Sequence, residues 1–407
     1  MFDLSGFINE YVTKRPGSMF RDDIKANSDA LSDAIRDKSV LVIGGAGSIG
    51  SSFVKAILPF EPSSLVIVDT NENALTELTR DLRSSGVFMP GEYLSYPMDY
   101  NSVTFKRMFS NRKRSNGLSG FDIVANFSAH KHVRSEKDIY SVEALLRNNV
   151  INARGLLELL ADNPPEEYFC VSTDKAANPV NIMGASKRIM EDLIFSFSDR
   201  FPVKTARFAN VAFSNGSLPA GFLDRISKSQ PLSAPSDVRR YFVSPEESGQ
   251  ICILSCMLGA NREIFFPKLK EAQMMTFDEI ARNLLKVQGY TVKECSSEDE
   301  AIKLAGELRS GSKEYPVLFS GSDTSGEKSY EEFYTSDEEK DFDRFKSLGV
   351  IMGKGRPDVE RLKALISELE DAFEKKDVTK SDIVKIISDY LPDFAHIETG
   401  KSLDEKM

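Results

Sequence analysis

A doubly wound α/β fold, a parallel sheet with helices on both faces, is predicted for residues 38–208 on three observations. The apolar runs SVLVI, SLVIVD, FDIVANFS and YFCVSTD are short and continuous, as strands are when a helix layer covers each face of the sheet. Between them lie NENALTELTRDLRSS and VEALLRNNVINARGLLELLA, with helical spacing, and strands alternating with helices build parallel sheets. Finally, GGAGSIG follows the first run directly and opens a helix. A bare Gly44-x-x-Gly47-x-x-Gly50 spacing would suit any turn; the strand before it and the helix after it make it a dinucleotide-binding turn.

The chain has 407 residues, more than the ~250–300 that one hydrophobic core usually serves, so two lobes are expected. Residues 1–37 read as a polar helical arm, in which Asn27-Ser28-Asp29 cap a short amphipathic helix through Ile35. Residues 38–208 form the doubly wound domain. Residues 209–356, where regular alternation decays, read mainly as a smaller lobe, part of which can return to the sheet. This region holds a helix through ICILSCML and a loop-like polar stretch, SGSDTSGEKSYEEFYTSDEEKD. In 357–407, VERLKALISELEDAFEKK and SDIVKIISDYL read as amphipathic helices, the second opened by a Thr379/Asp382 capping box.

A net charge of −10 and a pI near 5.2 exclude a nucleic-acid or anionic-membrane surface, which needs clustered basic residues. Arg112-Lys113-Arg114 reads as a solvated loop. Cys170, Cys252, Cys256 and Cys295 lack metal or redox spacing, and Cys252 and Cys256 share one helical face, so they read as buried hydrophobes. Three histidines, His130, His132 and His396, are too few for a histidine-rich metal site, and no metal is expected. No apolar run near the ~20 residues that span a bilayer is present, so a cytoplasmic protein without a membrane span is expected.

In the glycine turn, Gly44, Gly47 and Gly50, with Ser48 and Ile49 between them, let backbone approach a pyrophosphate at the positive end of a helix. Asp69 ends the second strand, where a carboxylate accepts from ribose hydroxyls and repels a ribose phosphate, so NAD is expected rather than NADP. The same residue could cap the following helix, and both readings can hold. Asp99 reads as an adenine contact or a cap, and Ala129, after the third apolar run quoted, is placed on the cofactor side.

In order, GGAGSIG, NFSAHKHV, NNV, STDKAANPVNIMGASK, FANVAFSNGS and GEKSYEE resemble the extended short-chain dehydrogenase/reductase superfamily. Within it they look most like the soluble, short UDP-N-acetylglucosamine 4,6-dehydratases of bacterial polysaccharide biosynthesis. The likeness spans roughly Ser39 to Glu332. Where many such enzymes carry Tyr-x-x-x-Lys, this chain has Met183-x-x-x-Lys187, a variant known in that group. It departs from the usual pattern at Ile43, at Arg134 and at Thr324-Ser325, the last two flanking the substrate side.

The implied reaction removes a hydride from carbon 4 of a UDP-sugar to NAD, eliminates water across carbons 5 and 6, and returns the hydride to carbon 6. A thioether exchanges no proton, so other groups must act. The resemblance assigns Lys175 as the base at carbon 5 and Asp174 as the acid at carbon 6, which requires a neutral lysine and a protonated aspartic acid. Thr173 would bond the carbon 4 oxygen, Ser172 would orient its neighbours on the substrate side, and Lys187 would hold the nicotinamide ribose while Met183 supplies shape. Ionised Asp174 or a water would take the carbon 4 hydroxyl proton. Asn149 would brace the active-site lysine through backbone contacts. On the substrate side the resemblance places Lys131, with His132, then Asn210, Ser217 at a phosphate, and Arg239 or Arg240 at the diphosphate, where arginine binds bidentately. Glu327 and Lys328 are weaker candidates. An epimerase using the same first step, and a non-catalytic sugar-nucleotide-binding protein, are the competing readings. A homo-oligomer is expected, since short-chain relatives usually pair through helices.

Overall fold

The computed structural model describes residues 2–132, 136–321, 330 and 332–398. Its centre is a nine-stranded sheet. Strands β1 (Ser39–Ile43), β2 (Ser64–Asp69), β3 (Glu92–Pro97), β4 (Ile123–Asn126), β5 (Glu167–Thr173) and β6 (Val203–Phe208) run parallel in the order 3-2-1-4-5-6. Order reverses between β1 and β4, and at such a switch point the carboxyl ends of the strands open a crevice for ligands. Buried residues fill β1, β4 and β6 throughout, and in β1 and β4 the sequence is correspondingly apolar almost from end to end. The polar members of β6 are accommodated individually: Thr205 donates from Oγ1 to the Cys170 carbonyl at 2.6 Å, and Arg207 is completely buried.

Beyond β6, the strand Glu263–Pro267 adds in parallel, and Leu348–Ile351 and Lys340–Asp341 close the edge antiparallel. The helix Pro245–Leu258, which carries ICILSCML, also belongs to this layer rather than to a second lobe. It packs on the helix Ser48–Ile57, so closely that a Cβ on Gly249 would stand 2.2 Å from the Ser52 carbonyl oxygen. Cys252 and Cys256 are buried in it, as their spacing predicted. The smaller lobe is a three-stranded parallel sheet of Leu232–Pro235, Glu314–Ser320 and Thr291–Cys295. Its core includes Phe222, Ile280, Leu284, Tyr315 and Val317.

The N-terminal arm is not polar where it matters. Phe7, Ile8 and Val12 enter the small lobe's core, while Phe20, Leu31 and Ile35 enter the main one. The helix Ser28–Ile35 forms, but without an Asn27 side-chain cap, because that amide donates to the Asp23 carbonyl at 2.7 Å. The basic run is not a solvated loop either: Arg114 is buried and donates to the Pro164 carbonyl at 3.0 Å. Arg112 pairs with Glu92 and stacks 4.9 Å from the Phe121 ring centre.

The helices Val359–Phe373 and Lys380–Tyr390 form with the predicted capping box. They are held to the sheet's helix layer by Arg154–Glu370 at 3.6 Å, Arg147 over the Phe373 ring at 5.3 Å, and Tyr390 Oη to Asp192 at 3.2 Å. This cover helps explain why the helix Ile182–Ser196 is buried almost throughout, its charged Lys187, Glu191 and Asp192 included. Among the described residues no helix is long and apolar enough to cross a membrane.

Candidate active site

At the carboxyl end of β1 the chain turns sharply. Gly44 has φ +69°, and a Cβ there would meet the Ser128 amide nitrogen at 2.6 Å. At Gly50 a Cβ would stand 2.3 Å from the Gly44 carbonyl oxygen, so only glycine lets the helix start this close to the strand. Gly47 is different: a Cβ on it would meet one atom within 4 Å, the Gly44 carbonyl oxygen. It lies at the N-cap of the helix Ser48–Ile57, where unpaired amides favour an anion. Gly50→Val is expected to abolish measurable NAD binding by calorimetry, and unchanged affinity would remove this turn from the cofactor site.

Asp69 ends β2. Its Oδ2 accepts from the Ala46 amide in the glycine turn at 3.0 Å, and Oδ1 accepts from the Asn71 amide at 2.9 Å. The cap of the next helix is Asn71, not Asp69. Asp99 likewise bonds the Asn101 amide at 2.8 Å while Ser102 caps the helix that follows. Ser48 Oγ accepts from the Asn215 amide at 2.9 Å, tying the turn to the FSNGS loop. Ile49 packs against the core, and Ala129 is half-buried after β4. These residues fit a dinucleotide: a cradle of backbone at Gly44, Gly47 and Gly50, and a carboxylate beside it.

The tip of β5 carries the chemistry. Asp174 is buried, and its Oδ1 accepts from Thr173 Oγ1 at 2.7 Å, from the Lys175 amide at 2.9 Å and from Lys175 Nζ at 3.1 Å. The helix Ile182–Ser196 comes close behind, because Gly184 lacks a Cβ that would stand 2.7 Å from the Lys175 carbonyl oxygen. Its start is held twice, by Asn181 Oδ1 accepting from the Gly184 amide at 2.7 Å and by Glu136 Oε1 accepting from the Met183 amide at 2.8 Å. Met183 and Lys187 are both buried. Lys187 Nζ donates to the Val171 carbonyl at 3.0 Å, and burial pulls its ammonium below the ordinary lysine range against the opposing pull of Cys170 and Glu191. Asn149 is buried and bonds Ser186, the residue before that lysine. In a π-helical turn over Arg147–Ile151, it bonds the His130 amide and carbonyl, both at 2.9 Å, and the Ser186 hydroxyl at 3.0 Å. Such bulges often mark functional positions.

Ser172 faces inward. Its hydroxyl donates to Glu191 at 2.7 Å, so it belongs to a buried ion cluster and is not free to orient a substrate. Sequence reading missed this cluster. Glu191 meets Arg207 at 2.9 and 2.8 Å, and Arg207 meets Glu338 at 2.8 Å through two nitrogens. Burial pushes the Glu191 carboxyl up, but Arg207, Lys354 and Arg188 pull it down further, to about 2. A carboxyl depressed below its ordinary 4.5 adds stability that is full above about that pH and is lost as pH falls through about 2. Urea midpoints should therefore fall steeply below about pH 4.5, and Glu191→Gln should flatten that part of the profile.

On the substrate side the structure is less gathered. Asn210 Nδ2 donates to the Tyr241 carbonyl at 3.3 Å. Ser217 caps the helix Leu218–Ser227. Arg239 is exposed and 3.5 Å from Glu271, whereas Arg240 is buried and bonds the Arg239 carbonyl at 3.0 Å. Lys131 is exposed and His132 half-buried. Arg134, Thr324, Ser325, Glu327 and Lys328 lie outside the described residues.

A family model described as polysaccharide biosynthesis protein matches residues 40–340. Among curated relatives, a protein of Methanocaldococcus jannaschii named uncharacterized membrane protein MJ1061 is 29% identical, over 88% of this chain and 98% of its own. The inverting UDP-N-acetylglucosamine 4,6-dehydratase of Campylobacter jejuni (strain 81-176) is 24% identical over 78% and 89%. The UDP-glucose 4-epimerase of Rickettsia prowazekii is 26% identical over 70% and 79%. Two other relatives are longer, and the chain spans 49% and 50% of them. Of solved structures, Pen from Bacillus thuringiensis superposes with TM-score 0.62 at 19% identity, over 83% of this chain and 98% of that one. The dTDP-glucose 4,6-dehydratase DesIV from Streptomyces venezuelae, a double mutant with NAD bound, gives 0.51 at 18% identity, over 68% and 88%. With three-quarters of its length matched and the 3-2-1-4-5-6 sheet in place, the chain belongs to the polysaccharide biosynthesis protein family, on an extended short-chain dehydrogenase/reductase fold.

Proposed function

We propose that this chain modifies nucleotide sugars, and specifically that it is an NAD-dependent 4,6-dehydratase of UDP-N-acetylglucosamine or a close UDP-hexosamine, serving surface-glycan synthesis. The relatives named as nucleotide-sugar dehydratases and epimerases support the class. What carries the finer reading is the contact of Lys175 Nζ with Asp174 Oδ1, 3.1 Å apart at a sheet edge that binds ligands in this fold. If the proton moves from Nζ to Oδ1, the pair becomes a neutral amine and a carboxylic acid, the base and the acid that elimination needs.

NAD, when bound, would accept a hydride from carbon 4 and give it back at carbon 6. The chain's own groups and a water do the rest. A water takes the carbon 4 hydroxyl proton as the hydride leaves. Lys175 takes the proton from carbon 5, acidified by the neighbouring ketone, Asp174 protonates the departing carbon 6 hydroxyl and is reprotonated from solvent, and the Lys175 ammonium returns its proton to carbon 5 as the hydride arrives at carbon 6. Thr173 Oγ1 holds the carbon 4 oxygen. Lys187, anchored on the Val171 carbonyl, presents its charge to the nicotinamide ribose, while Met183 fills the space a phenol would occupy. Asp69 selects NAD by repelling a ribose phosphate. Epimerisation at carbon 4 needs no acid for a leaving hydroxyl, so the Asp174–Lys175 pair favours elimination over that alternative.

Incubation of the purified protein with UDP-N-acetylglucosamine, followed by mass, should show loss of one water. Unchanged mass with altered stereochemistry would replace this reading with the epimerase, and tighter binding of NADP than of NAD would overturn the Asp69 assignment. Assembly as a homo-oligomer is part of the proposal, and light scattering that shows a monomer would remove it.

A further inference from the structure

We infer that Arg207, Glu191 and Glu338 form a buried latch that holds the Thr173–Asp174–Lys175 turn in register with the segment 332–338, making Glu338 a positioning residue for substrate binding. This rests on the function proposed above. Arg207 on β6 is paired in register with Ser172 on β5, one residue before the turn. Its bonds account for five donors: Nε and Nη2 to Glu191, Nη1 and Nη2 to Glu338, and Nη1 to the Phe333 carbonyl at 3.0 Å. Glu191 in turn accepts from Ser172.

The far side of the latch also returns to the site. Glu338 Oε2 accepts from the Thr335 amide at 2.9 Å, shaping the segment. Glu332 Oε2 accepts from Asn178 Nδ2 at 2.9 Å, two residues past the turn Asp174–Ala176. Between them, the Phe333 ring lies 5.6 Å from that of Tyr241, whose carbonyl accepts from Asn210. The segment thus reaches Asn178, just past the acid–base turn, through Glu332, reaches Tyr241, which holds the candidate sugar contact Asn210, through Phe333, and reaches Arg207 through Glu338.

Stability alone is a poor reason for such a cluster. Ions are costly to bury, and replacing a buried ion group by apolar residues is often neutral or stabilising. Lys354 and Arg188, both half-buried, stand 3.9 and 3.8 Å from both carboxylates, which adds further charge at the rim of the cluster. What directional, fully bonded charges supply is one geometry, here shared by two pieces of chain 131 positions apart.

The test compares wild type with Glu338→Ala by amide hydrogen exchange and by steady-state kinetics on UDP-N-acetylglucosamine. Loss of a charge-assisted bond should raise exchange at residues 171–178 and the substrate KM each about tenfold. Exchange at the glycine turn 44–50, NAD affinity and most of kcat should stay, and Glu338→Gln, which keeps an acceptor for Arg207, should recover most of the KM. Unchanged exchange at 171–178 in a folded variant, or a lower melting temperature with unchanged KM, overturns the latch. Should Glu338→Ala fail to fold, Glu332→Ala enters the same measurements with the same criteria. If wild type does not turn over this sugar, the proposed function fails separately, and the exchange comparison, which needs no substrate, still decides the latch.

Discussion

Asp174→Asn will lower turnover by about three orders of magnitude, the middle of the range that a positioned proton donor contributes, with NAD affinity within a few-fold of wild type. The amide keeps the shape of the turn, because its oxygen can accept from Thr173 Oγ1, the Lys175 amide and Lys175 Nζ as the carboxylate does. It cannot deliver a proton to a leaving hydroxyl. Single-turnover measurement with the sugar nucleotide, alongside calorimetry with NAD, separates the two effects. Near-normal turnover would take Asp174 out of the mechanism, and lost NAD binding would mean that the turn itself had moved.

Arg207→Leu will destabilise the fold by about 3–5 kcal/mol, the usual cost of removing one partner from a buried ion group. Glu191 and Glu338 would then share a site whose other cations, Lys354 and Arg188, stand at 3.8–3.9 Å rather than at hydrogen-bond distance. Replacing all three residues by leucine or methionine removes the stranded carboxylates along with the bonds, and Lys354 and Arg188, which are partly exposed, can turn to solvent, so most of that loss should return. Urea denaturation of the single and triple variants measures both numbers. A single variant within about 1 kcal/mol of wild type, the scale of an exposed ion pair, would show that the cluster is hydrated and not the dry group described above. The triple variant should regain stability while its substrate KM stays high, because leucines restore packing and not direction.

Much of the sheet was legible because its signal is local. A strand buried on both faces tends to be apolar over most of its length, as β1, β2, β4 and the middle of β5 are. The glycine turn was legible because left-handed and crowded backbone admits few other residues. Helix starts were less so: Asn27 has the right chemistry for a cap, yet its amide serves Asp23. The apolar content of ICILSCML is plain in sequence, but its partner, the helix Ser48–Ile57, lies some two hundred positions earlier in the chain.

The site divides in the same way. Asp174, Lys175, Met183 and Lys187 lie within one continuous stretch, so their grouping at the end of β5 follows from chain connectivity and from a helix turn that puts positions four apart on one face. Ser172 sits in that stretch too, yet its side chain turns inward, since alternate strand residues point to opposite faces. Arg207 could have been flagged as a charge inside an apolar strand, and Glu191 as one on a buried helix face, but neither names its partner.

What the sequence by itself determined is the alternation that builds the parallel sheet, the glycine turn after its first strand, and the acid–lysine pair at the tip of β5. Each depends on neighbours within a few residues, where backbone sterics and side-chain periodicity act. Only the tertiary structure decided that Glu338 meets Arg207, that Phe333 packs beside Tyr241, and that the C-terminal helices cover the helix bearing Lys187. Those pairings depend on which surfaces the folded sheet brings together, and a charged or aromatic residue in a polar stretch carries no periodic mark of the partner it will find.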